Sequence, residues 1–74
     1  MGSKYPVLKP QEVISALSKA GFVFQKQRGS HAKYTSGSKT VIIPMHDEIA
    51  KGTLKSILAQ AGIELDQFSE LLHS

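Results

Sequence analysis

Two glycine turns divide the centre of this chain into three short β-favouring segments, and that division limits the folds open to it. Phe22-Val23-Phe24-Gln25-Lys26-Gln27 is rich in residues that suit a pleated surface. Gly29 ends it, because glycine tolerates the positive φ that a tight turn demands. His31 to Thr35 resumes as a second strand, and Ser36-Gly37-Ser38 is a second turn. Lys39-Thr40-Val41-Ile42-Ile43 is the third strand, closed by Pro44, which has no N–H for a ladder. Two short turns between three strands imply an antiparallel meander.

Helices flank the meander. Lys9-Pro10-Gln11-Glu12 reads as a helix entry, since proline in the first turn loses no needed hydrogen bond. Val13, Ile14, Leu17 and Ala20 recur at helical spacing, and Gly21 supplies a stop, so a helix is predicted over about residues 10–20. His46 to Ala50 is a connecting loop. From about Lys51, the residues Leu54, Ile57, Leu58 and Ala61 form an amphipathic stripe that ends at Gly62. After Ile63-Glu64, the residues Leu65, Phe68, Leu71 and Leu72 continue as a short C-terminal helix. The fold class is therefore α+β in the order α-β-β-β-α, with a three-stranded antiparallel sheet covered on one face by helices 1 and 2. Alternation turns Ala32 and Tyr34 towards those helices and sends His31, Lys33 and Thr35 to the opposite, solvent face. Phe22 and Phe24 share one face of the first strand. With Tyr34 and Phe68 they lie on apolar faces, and all four are expected in the core rather than as stacking platforms for bases.

At 74 residues, the chain reads as a single domain over residues 1–74. A domain this small buries only about 60% of its unfolded surface, which leaves little room for a ligand cavity and puts function on the surface or in a shallow groove. Its composition, 41% hydrophobic and 20% charged, is that of a folded domain. There is no cysteine, which points to a reducing, cytoplasmic home. No apolar run reaches membrane-spanning length, so no membrane association is expected.

Charge is unevenly placed. Residues 1–46 carry seven Lys/Arg against the single acid Glu12, while residues 47–74 carry two lysines against five acids. No acid falls between Glu12 and Asp47, a footprint compatible with nucleic-acid binding and equally with an ordinary solvated face. The run Lys26-Gln27-Arg28-Gly29-Ser30-His31-Ala32-Lys33-Tyr34 sharpens the first reading. An imidazole changes charge near neutral pH, and among cations that can hold phosphate it is a candidate proton-transfer group for a polyanion.

Gly21-Phe22, Gly29-Ser30-His31, Ile43-Pro44-Met45-His46 and the block from Lys51 to Gly62 occur in an order and spacing that resemble the HicA toxin family, from Val7 to Leu72. The resemblance implies a double-stranded-RNA-binding-like (dsRBD-like) fold. It also implies a ribonuclease toxin of a type II toxin–antitoxin pair that cleaves mRNA and is neutralised by a HicB-type antitoxin. The family's catalytic histidine maps onto His31 and its preceding glycine onto Gly29. Ala32 stands where many relatives carry a second histidine, so a two-histidine mechanism would have to recruit another group. Lys51 stands where proline is frequent and touches no chemistry.

RNA carries its own nucleophile, the 2′-OH, so cleavage needs only a proton acceptor, a proton donor and cations for the developing charge. His31 can serve as acid or base, and Lys26, Arg28 and Lys33 can supply charge, with Arg28 capable of bidentate phosphate contact. Ser30 can donate to phosphate, and Gly29 allows close backbone approach. Lys39 is a weaker candidate. His31, His46 and Asp47 lack the spacing of a metal site, so no metal or other cofactor is expected, and His46 is read as a buttress of the loop before helix 2. The alternatives are a non-catalytic RNA-binding module and a protein-interaction domain using the acidic C-terminal part.

Overall fold

The computed structural model describes residues 5–74. Helix α1 spans Pro10–Lys19, strands β1, β2 and β3 span Val23–Arg28, His31–Ser36 and Lys39–Pro44, and helices α2 and α3 span Lys51–Ala61 and Leu65–Leu72. The predicted α-β-β-β-α order with a short C-terminal helix is present, and the sheet runs β1-β2-β3 with both pairings antiparallel.

Local chemistry explains most boundaries. The Glu12 carboxylate accepts the Lys9 N–H at 2.8 Å, holding the entry to α1 just before Pro10. At the other end Gly21 takes φ +97°, so the Gly21 N–H reaches the Ser18 carbonyl and the Phe22 N–H reaches the Leu17 carbonyl, each at 3.0 Å. Carbonyls at the end of the helix are thereby satisfied, that of Leu17 also accepting the Ala20 N–H, and Phe22 is turned back onto the core with Leu17. The two hairpins are alike: Arg28 and His31 pair across Gly29-Ser30, and Ser36 and Lys39 pair across Gly37-Ser38. Ser36 is thus the last residue of β2 rather than part of the turn. In both loops the glycine comes first and has positive φ, the pattern that matches the natural twist of paired strands.

The core joins Val13, Ala16 and Leu17 of α1 to Val41 and Ile43 of β3, Leu54, Ile57, Leu58 and Ala61 of α2, and Phe68 of α3. As expected, helices cover one face of the sheet, and Val13, Ala16 and Leu17 of α1 share the core with Val41 and Ile43 of β3. α2 packs along β3, whereas α1 packs mainly on α3. Lys19 closes that second contact by donating to the Leu71 and Ser74 carbonyls at 3.0 and 2.8 Å, placing a cation at the negative end of α3.

Two features depart from strict alternation. In β1, Phe24 pairs with Tyr34 and Lys26 with Lys33, leaving Gln25 as a bulge. The bulge resets the pleat, so Phe24 stays on the helix side with Tyr34 while Lys26 and Arg28 move to the opposite face. Phe24 is not a core residue, however, since it is 55% exposed: no helix reaches over the edge strand, and its ring meets Tyr34 edge-on at 5.6 Å. The second departure lies in the loop before α2. Ile49 is buried and forms an isolated antiparallel bridge with Leu8, with N–H···O contacts in both directions.

Candidate active site

The sheet has a bare face, and its central strand puts His31 there. Core-side positions of β2 and β3 pair as Ala32 with Ile43 and Tyr34 with Val41, so the intervening residues His31, Lys33 and Ile42 point the other way. His31 stands across from Arg28 on one side and Pro44 on the other; Lys33 stands across from Lys26 and Ile42. His31 is exposed, as alternation predicts, and so are Lys26 and Arg28, while Lys33 is half-buried.

These side chains share one concavity. Lys26, Arg28, His31, Lys33 and Ile42 line a shallow depression of about 290 Å³. Three cations and one imidazole ring form its polar wall, and Ile42 supplies the apolar part. Ile42 was not among the residues singled out from sequence, although the three consecutive apolar residues Val41, Ile42 and Ile43 could have indicated it, since in a strand the middle one must face away from its neighbours.

Gly29 and Ser30 border the depression as the turn that joins Arg28 to His31. The turn is held in place twice. The Gln27 side-chain amide donates to the Gly29 carbonyl at 2.9 Å, and the Met45 N–H donates to the Ser30 carbonyl, extending the β2–β3 ladder past Pro44. His31 therefore projects from a fixed backbone rather than from a loose loop.

Lys39 is elsewhere. It pairs with Ser36 at the far end of the sheet, and its ammonium lies over the end of α2, where a Cβ added at Gly62 would come within 2.8 Å of Nζ. At about 3.3 Å per residue, β3 separates it from the His31 end by roughly 16 Å. His46 lies at the surface of the loop before α2. It is 58% exposed, and its Nδ1 lies 3.6 Å from an Asp47 carboxylate oxygen, with Asp47 itself at φ +51°. Both residues line a larger depression of about 580 Å³ with Lys9, Pro10, Gln11, Met45 and Glu48. That concavity mixes charges of both signs, so the smaller one, which has cations and no acid in its lining, is the better seat for a phosphate.

Among the described residues, no group of three or more His, Cys, Asp or Glu side chains is placed to hold a metal ion. None of their helices is long and apolar enough to cross a membrane. The comparison with curated proteins finds no match. A family model described as the HicA toxin of bacterial toxin–antitoxin systems matches residues 10–63, which run from the start of α1 past the end of α2.

Proposed function

The chain belongs to the HicA toxin family of bacterial toxin–antitoxin systems, and from that premise we propose that it is an endoribonuclease that cleaves mRNA through His31. The observation that supports this reading is the position of His31 inside the one depression walled by Lys26, Arg28 and Lys33. A ribose-phosphate segment laid across the bare sheet face brings its phosphate among the three cations. Its 2′ oxygen then bonds to phosphorus while the bond to the 5′ oxygen breaks. His31 either takes the 2′-OH proton or gives one to the departing 5′ oxygen, and in this reading Arg28, its partner across the ladder, stabilises the extra negative charge. Gly29 lets the backbone come close to the strand, and the Ser30 hydroxyl donates to a phosphate oxygen. The nucleophile belongs to the substrate, so the reaction needs neither metal nor organic cofactor.

Neutralisation follows from the same exposure. A HicB-type antitoxin that covers the His31 face denies RNA access to the depression without entering the core.

The test is incubation of purified protein with single-stranded mRNA in EDTA. Fragments should accumulate with the parent chain and fall by roughly 10²–10⁴-fold with His31→Ala, the usual contribution of one acid–base group. Retention of RNA without cleavage would instead identify a non-catalytic RNA-binding module. Equal cleavage by His31→Ala would remove the histidine from the mechanism.

A further inference from the structure

The two edges of the sheet are treated differently. At β3, the outward Ile42 N–H is taken up by the Gln60 side-chain carbonyl of α2 at 3.3 Å. At β1, every residue of the strand is exposed, and among the described residues β2 is its only neighbour in the sheet. Arg28 is the hydrogen-bonded partner of His31 at the two-residue turn, so the next residue back, Gln27, turns its backbone N–H and C=O away from β2. Val23 and Phe24, 62% and 55% exposed, are two of the four large hydrophobic residues left in the open among the described residues.

The strip has two chemically distinct sides. Its helix side carries Phe24, with no helix above it, because α2 lies over β3 and α1 lies on α3. Its bare side carries Lys26 and Arg28, turned there by the Gln25 bulge. The sequence offers these cations no acid between Glu12 and Asp47. A second copy of the chain would bring another Lys26 and Arg28 to the same face and is disfavoured by like charge. A nucleic-acid backbone offers phosphates but cannot complete the alternating N–H and C=O pattern of a strand edge.

We propose that β1 is the docking edge for an extended segment of the antitoxin, which adds a fourth strand to the sheet. That segment carries acidic side chains on the face shared with Lys26 and Arg28, and apolar ones on the face shared with Phe24. The inference rests on the antitoxin reading above. Its acids occupy the phosphate-binding cations beside His31, so strand addition at the edge silences a site on the face.

The experiment titrates the cognate HicB-type antitoxin into the ¹⁵N-labelled chain and follows amide exchange in β1. The Gln27 amide is expected to become at least tenfold more protected in the complex. Gln27→Pro removes that outward donor without touching the β1–β2 ladder, and Phe24→Ala removes the apolar anchor. Each should weaken antitoxin binding about tenfold; Phe24→Ala should retain mRNA cleavage, whereas Gln27→Pro also loses the side-chain bond to the Gly29 carbonyl and is compared by antitoxin binding alone. Should Gln27→Pro fail to fold, Phe24→Ala carries the comparison. An antitoxin that binds both variants as tightly as the parent, leaving Gln27 unprotected, overturns edge docking and leaves the antitoxin reading standing. A parent chain that binds no antitoxin overturns the antitoxin reading itself. Loss of RNA retention by Phe24→Ala in step with antitoxin affinity would assign the strip to RNA and also overturn the proposal.

Discussion

Lys26 and Lys33 stand directly opposite each other across the β1–β2 ladder, on a sheet face where the flanking pair is Arg28 and His31. Like charges opposed in this way destabilise a sheet, and this fold carries the arrangement within its cationic depression. A bound polyanion relieves it.

The free protein should therefore gain stability when one of the two charges is removed. Lys33→Gln is expected to raise the melting temperature slightly while weakening RNA retention. Added phosphate should stabilise the parent more than the variant, and thermal melts with and without phosphate check both statements. A variant less stable than the parent in both conditions would remove the opposed pair as a source of strain.

Arg28→Lys keeps the charge but loses the planar fork that can grip two phosphate oxygens at once. RNA binding should weaken across all sequences alike, with little change in its salt dependence. Arg28→Ala should also reduce the slope of log affinity against log salt by about 1. Filter binding over a range of salt concentrations separates the two effects.

Gly29 has open space where a Cβ would go, but its φ is +59°. Gly29→Ala is thus a conformational test free of steric clash. It should destabilise the fold by about 1–2 kcal/mol in urea titrations and displace the turn ahead of His31, lowering cleavage as well. Gly29→Asn, which enters that backbone region more readily, should recover part of both losses.

Phe68 is fully buried, although it comes from the short last helix. Phe68→Ala should cost about 3–5 kcal/mol, a large share of the stability available to so small a domain. Circular dichroism should then show loss of the whole fold, not of α3 alone. Selective loss of α3 would mean that the helix is an appendage.

The strand positions that matter for His31 were legible because the alternation in β2 is unbroken: Ala32 and Tyr34 are held by facing residues of β3, which fixes the direction of His31 and Lys33. β1 was less legible. Nothing in Phe24-Gln25-Lys26 signals a bulge; there is no glycine, and by simple alternation Phe24, Lys26 and Arg28 would share a face. The exposure of Phe24 depends on where the helices stop, a property of tertiary packing that an apolar side chain cannot report. Ile49 was hidden for a related reason, as a single apolar residue between Glu48 and Ala50 has no periodicity to mark it, yet the bridge to Leu8 buries it. The family blocks, by contrast, pointed to the histidine turn and to both flanking helices directly.

The Leu8–Ile49 bridge also makes the molecule sensitive to pulling at one end. Force applied ahead of Leu8 passes through that bridge to the loop before α2, and Met45 in that loop hangs from the carbonyl of Ser30, next to His31. A load on the N-terminal side would therefore reach the turn before His31, whereas one applied after α3 would meet the Lys19 clasp first.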